Sequence, residues 1–110
     1  MKDNTLTGTG KFLIGGLNLN ADKAKKMQEF CRQNDIRKIS VFGSRARGDY
    51  KRDSDIDFLV KFKKTKGLLE LLSMEFELEN IFGKKVEIIT EGSVPVFLKN
   101  AIMEEAVPIL

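Results

Sequence analysis

Residues 36 to 62 read IRKISVFGSRARGDYKRDSDIDFLVKF. Two apolar runs, Ile36 to Phe42 and Ile56 to Phe62, flank a polar segment, and both carry the period of two that marks a strand. In the first, Ile39 and Val41 alternate with Lys38 and Ser40. In the second, Ile56, Phe58, Val60 and Phe62 share one face, and Asp55, Asp57 and Leu59 share the other. The connection from Ser44 to Ser54 is eleven residues, at the margin of the dozen or so that a parallel crossover needs, so the two strands are expected to be antiparallel neighbours. Gly43-Ser44 then lies beside Asp55 and Asp57, whose i, i+2 spacing aims both carboxylates from one sheet face.

Working outward, Asn20 is a good cap for a helix over Ala21 to Asn34, with Asp22 in its first turn and Ala24, Met27, Phe30 and Cys31 at helical spacing toward the core. Residues 1 to 19 are polar and Gly-rich and read as a flexible leader, with residues 20 to 110 as the domain. Gly8-Thr9-Gly10-Lys11 is not a phosphate loop, because Thr5 and Phe12 stand where that pattern needs Gly and a hydroxyl residue. Downstream, Gly67 opens a helix whose buried stripe is Leu68, Leu71, Met74, Leu78 and Ile81, with Glu70, Glu75, Glu77 and Glu79 in water and Gly83 as its stop. Lys85 to Thr90 is a third strand. A last helix starts after Gly92-Ser93, with Pro95 in its first turn and Leu98, Ala101 and Ile102 inward; Pro108 stops it. The expected fold is α/β: a mixed sheet of three or four strands with helices packed mainly on the side opposite the carboxylates.

The segment from Lys63 to Lys84 contains a whole helix and permits a crossover, so the third strand is expected parallel to the second. Glu87 near its start then falls beside Asp57 or Asp55, and three carboxylates share one corner of the sheet. Carboxylates that close raise one another's pKa, and a divalent cation with a taste for oxygen, magnesium or manganese, is the natural neutraliser. A glycine that admits close backbone approach, a serine hydroxyl and the first N–H groups of a short helical turn suit a phosphate. Cradle and metal platform together are the equipment of phosphoryl or nucleotidyl transfer. Taken singly these features are ordinary: Asp-x-Asp solvates strand edges, Gly-Ser makes turns, and Arg45 and Arg47 would pair with Asp49 or Asp53 on the surface. Their combination in this order carries the reading.

Composition removes several alternatives. The 110-residue chain has no histidine, so Ser-His-Asp and Cys-His sites are excluded, and its one cysteine, Cys31, allows no internal disulfide. Its net charge of +3 is too small to argue for nucleic acid, and no direct nucleic-acid binding is expected; Lys61, Lys63, Lys64 and Lys66 read as a solvated strand end. No apolar run approaches a membrane span and no signal-peptide core is visible, so a cytoplasmic protein is expected.

At Gly43-Ser44, Ala46-Arg47-Gly48 and Ser54-Asp55-Ile56-Asp57 the chain resembles the minimal nucleotidyltransferases (MNT proteins) of the DNA polymerase β-like superfamily. The likeness runs from about Ala21 to the end and includes Gly67-Leu68-Leu69, Lys85 to Thr90 and Glu105-Ala106-Val107. It implies a nucleotidyltransferase fold, with Asp55, Asp57 and Glu87 as catalytic magnesium ligands for two ions, and Gly43, Ser44 and Arg47 as contacts to the phosphates of ATP. Many relatives carry Asp where Glu87 stands. The resemblance further implies an antitoxin that transfers AMP from ATP to a tyrosine hydroxyl of a HEPN-domain ribonuclease toxin. Length agrees, leaving no room for an acceptor-binding domain. The alternatives are an antitoxin that neutralises by binding alone and a nucleotidyltransferase for a small molecule such as an aminoglycoside. Glu70, Glu75, Glu77 and Glu79 read first as a solvated helix face and Ile109 and Leu110 as ordinary packing; contact with the partner is the alternative for both.

Overall fold

The computed structural model describes residues 11–14 and 16–109. The first ten residues of the expected leader, Gly15, and Leu110 of the apolar tail lie outside the described residues.

The centre is a four-stranded sheet in which β5 (Val86–Thr90), β4 (Ile56–Phe62), β3 (Ile36–Phe42) and β6 (Val107–Pro108) lie side by side in that order. Strand β3 (Ile36–Phe42) pairs antiparallel with β4 (Ile56–Phe62), both spanning the residues expected from their alternation. Helix α3 (Leu68–Phe82) carries the crossover to β5 (Val86–Thr90), which runs parallel to β4 as the long connection predicts. Helix α1 (Ala21–Gln33) is capped as expected: the Asn20 side chain accepts from the Lys23 N–H at 2.8 Å. At the start of α3, Glu70 reaches back to accept from the Gly67 N–H, and at its end Gly83 takes the left-handed conformation, φ 69°. The core lies on one face, where Ile39, Val41, Ile56, Phe58, Val60, Val86 and Ile88 meet Met27 and Phe30 of α1 and Met74, Leu78 and Phe82 of α3. That places α1 and α3 opposite the carboxylates.

The expected leader differs from Lys11 onward. Strands β1 (Lys11–Ile14) and β2 (Leu17–Asn20) form an antiparallel hairpin, and Leu17 and Leu19 are buried in the main core. Gly-rich composition suggested mobility, but two leucines at i, i+2 on one strand face bury enough apolar surface to dock the segment.

Two helices also depart from their expected faces. In α3, Met74 and Leu78 are buried and Leu71 and Ile81 pack against the core as expected, but Leu68 is 73% exposed and Phe82 is buried. The carboxylates of Glu75 and Glu79 are not simply in water: they accept from the backbone N–H groups of Ile88 and Val86, at 2.8 and 3.0 Å. These donors lie on the outer edge of β5, which among the described residues has no further strand to pair with.

After β5, a 3-10 turn at Glu91–Ser93 packs against β4 and leads into a last helix, α4 (Val96–Glu105). It buries no residue completely: Leu98 is 41% exposed, Ala101 is exposed and Ile102 half-buried. Apolar residues occur all round α4, so spacing did not distinguish an inner face, and α1 and α3 already fill the core. Pro108 does not stop this helix; it ends at Glu105, and β6 (Val107–Pro108) pairs antiparallel with Ser40 and Val41 of β3. A proline is tolerated there because β6 is an edge strand.

Leu78 is 0% exposed at the α3–sheet contact. Leu78→Ala should therefore cost about 2–5 kcal/mol in urea unfolding, whereas Glu77→Ala on the exposed side of the same turn should stay within about 0.5 kcal/mol.

Candidate active site

The β3–β4 register sets Phe42 opposite Asp57, so the chain leaves β3 directly beside the second aspartate. Gly43 turns there with φ 78° and ψ −151°, a conformation that side chains oppose. Space demands glycine as well: a Cβ at Gly43 would sit 2.6 Å from Oδ2 of Asp57. The backbone of the expected phosphate cradle thus lies against the carboxylate of the expected metal platform. Ser44 then starts α2 (Ser44–Arg47), one helical turn, which Gly48 ends in the left-handed conformation, φ 86°. The first N–H groups of such a turn have no intrahelical acceptor.

On the other side, the β4–β5 register sets Asp57 beside Glu87. Directly paired residues on parallel strands project from one face, and the two carboxyl groups are within hydrogen-bonding reach. The Asp57 carboxyl is held above the ordinary range, first by its partial burial, then by the negative charges of Glu87 and Asp55 and the hydrogen bond with Glu87; Arg47 pulls weakly the other way. Asp55 and Glu87 are both exposed. Among the described residues, no three acidic, cysteine or histidine side chains form a ready-made metal group. The structure therefore brings Asp57 and Glu87 together and leaves Asp55 near enough to act through its charge. Three like charges have no reason to converge further without a cation between them. The donor set fits magnesium: all oxygens, with a repulsion at Asp57 that a divalent ion would relieve.

Arg47 is exposed beside this corner, with its Nε 3.2 Å from Asp49 Oδ2 and its Nη1 3.4 Å from Glu105 Oε1. Glu105 also accepts from the Gly43 N–H at 3.0 Å. The spacing of residues 43 to 57 gave no sign of this contact from the far end of the chain.

Arg45 corrects the surface pairing expected for it. It is 4% exposed, and its guanidinium donates to three backbone carbonyls: Gly16 at 2.9 Å, Ser54 at 3.0 Å and Arg52 at 3.3 Å. The Tyr50 ring lies 4.6 Å from it. Arg45 thus ties the loop preceding Asp55 to the β1–β2 hairpin. The fit is close, since a Cβ on Gly16, whose φ is 75°, would come within 2.7 Å of the Arg45 carbonyl. Ser54 completes the turn, its hydroxyl accepting from the Lys51 N–H at 2.8 Å.

A family model described as a nucleotidyltransferase domain matches residues 24–109. The chain belongs to this nucleotidyltransferase family. It is 39% identical over 94 residues to a Methanocaldococcus jannaschii protein provisionally named a protein adenylyltransferase, an alignment covering 86% of this chain and all of that one. A solved structure provisionally named a minimal nucleotidyltransferase superposes with a TM-score of 0.69 at 31% identity, covering 80% of this chain and 90% of the other. A structure of a tri-AMPylated HEPN toxin of Shewanella oneidensis with an MNT antitoxin shares the fold, with a TM-score of 0.59 at 18% identity, over 78% of this chain and 67% of that one. The chain is accordingly an MNT protein and an enzyme of the nucleotidyltransferase class, as the motif around Asp55 and Asp57 implied.

The crowding at Asp57 makes a prediction for this nucleotidyltransferase. An aspartate whose pKa is raised by folding holds its proton more tightly in the native state, so its ionisation costs stability as the pH rises from its ordinary value of 3.8 through the raised one. Asp57→Asn should raise the urea midpoint at pH 7, and the advantage should disappear as the pH falls below 3.8.

Proposed function

We propose that this chain transfers AMP from ATP to a tyrosine hydroxyl of a HEPN-domain toxin and thereby acts as its antitoxin. The observation that carries the reading is the abutment of Gly43 on Asp57, with Glu87 paired to that same aspartate. Phosphate cradle and acidic pair meet at one point, as transfer to or from a nucleotide requires.

In this reading Gly43 and Ser44 hold the phosphates through backbone N–H groups and the Ser44 hydroxyl, and Arg47 supplies countercharge. Asp55, Asp57 and Glu87 would hold two magnesium ions, which when bound neutralise the attacking and leaving oxygens. The acceptor hydroxyl attacks the α-phosphorus, forming a new P–O bond as the bond to the bridging oxygen breaks and pyrophosphate leaves. The proton of that hydroxyl passes to a carboxylate, Asp57 or Glu87.

A protein acceptor is favoured over a small one by the surface. Leu68, Leu69 and Phe76 on α3 are 73, 82 and 69% exposed, and Val96 and Phe97 on α4 are 86 and 84% exposed. Of the contact surfaces considered from the sequence, Glu77 is exposed and three residues have other roles. Glu75 and Glu79 serve the edge of β5, and Ile109 is buried at 8% exposure. Among the described residues, no helix is long and apolar enough to cross a membrane.

Incubation with labelled ATP, magnesium and the partner toxin should label the toxin. Asp55→Ala with Asp57→Ala should cut that label by about 10²-fold or more. Label undiminished in the double variant would overturn the assignment, and full neutralisation at one-to-one by the unlabelling variant would establish antitoxin action by binding instead.

A further inference from the structure

Two of the donors assigned to nucleotide phosphate converge on one atom of the protein itself. Oε1 of Glu105 accepts from the Gly43 N–H at 3.0 Å and from Arg47 Nη1 at 3.4 Å. A backbone N–H at a positive-φ glycine and a guanidinium make a recognisable oxyanion pair, and here a carboxylate oxygen stands where a phosphate oxygen would. Glu105 is 62 residues from Gly43 in sequence, so long-range structure must hold it there. It is the last residue of α4, and shortly after it Val107 and Pro108 pair with Val41 and Ser40, two and three residues upstream of Gly43. The Ile109 N–H extends the tie by donating to the Ile39 carbonyl at 3.1 Å.

Glu105 also carries the wrong charge for a nucleotide neighbour. Its side chain is 32% exposed, so partial water exclusion preserves part of its repulsion toward an incoming polyphosphate. Both anions cannot use the Gly43 N–H at once. We infer that Glu105 is an internal anion that occupies the phosphate site and must be displaced by the nucleotide, so that nucleotide binding is coupled to release of the α4–β6 junction. The inference rests on the assignment of Gly43 and Arg47 to phosphate. Coupling of this kind is reciprocal: whatever frees Glu105 tightens the nucleotide site by the factor by which nucleotide loosens Glu105. The terminal helix, with Val96 and Phe97 exposed, thereby becomes a lever on nucleotide affinity.

The test uses the full chain, inorganic tripolyphosphate without metal, and calorimetry. Glu105→Gln keeps the side-chain shape and removes the charge. It should bind tripolyphosphate about fivefold or more tighter than the parent chain. In hydrogen exchange, saturating tripolyphosphate should speed exchange of the amides of residues 105, 106, 107 and 109 in the parent and change them little in the variant, where the junction is already loosened. Equal or weaker binding by Glu105→Gln, with parent binding intact, overturns the inference and leaves the nucleotide assignment standing; unchanged exchange in the saturated parent does the same. Absence of both tripolyphosphate and ATP binding in parent and variant overturns the nucleotide assignment and this inference with it.

Discussion

The antiparallel pairing of β3 with β4 is the constraint from which the site follows. It sets Phe42 against Asp57 and obliges the chain to turn at the next residue, in the space left by a carboxylate. Only glycine satisfies both the backbone angle and the clearance at that point. The parallel pairing of β5 then adds Glu87 on the far side of Asp57. The aspartate is thus gripped between a turn and a neighbouring strand, both belonging to the rigid sheet, and the geometry of the corner does not depend on a mobile loop. The one long polar segment nearby, between Gly48 and Ser54, is stiffened by the buried guanidinium of Arg45 and its three carbonyl acceptors.

The corner is arranged at the expense of the fold. Packing one carboxylate partly out of water beside two others raises its pKa, which is free energy stored against folding at neutral pH. The store is tolerable because the opposite face of β4 is wholly apolar: Ile56, Phe58 and Val60 are each 1% exposed or less. One strand thereby serves two purposes with alternate residues, core on one side and chemistry on the other.

Most of this was legible in the primary structure, for identifiable reasons. Strands β3 and β4 could be read to the residue because their alternation is strict, and the lengths of the two connections gave their directions and placed Glu87 beside Asp57 or Asp55, between which the register chooses Asp57. What stayed hidden was long-range. The i, i+2 leucines of β2 sit in a Gly-rich stretch whose composition argues for disorder, and only the hydrophobic face of the sheet shows where they go. Arg45 lies within a motif full of carboxylates, which suggests an ion pair; its actual acceptors are backbone carbonyls, to which side-chain identity gives no clue. Glu105 has no local pattern linking it to Gly43. The faces of α4 escaped because its apolar residues have no single side, and periodicity can orient only a helix that is amphipathic.

The carboxylates that α3 lends to β5 bear on how this molecule can be grasped. With the outward N–H groups of Val86 and Ile88 already spoken for by Glu79 and Glu75, the β5 edge of the main sheet holds fewer free donors for a visiting strand. Strand augmentation along β5 is disfavoured to that extent, and so is the edge-to-edge pairing by which exposed strands recruit copies of themselves into fibrils. A partner that docks on α3 or α4 instead reads side chains such as Phe76 and Phe97, and its selectivity rests on the shape and chemistry of that helical surface.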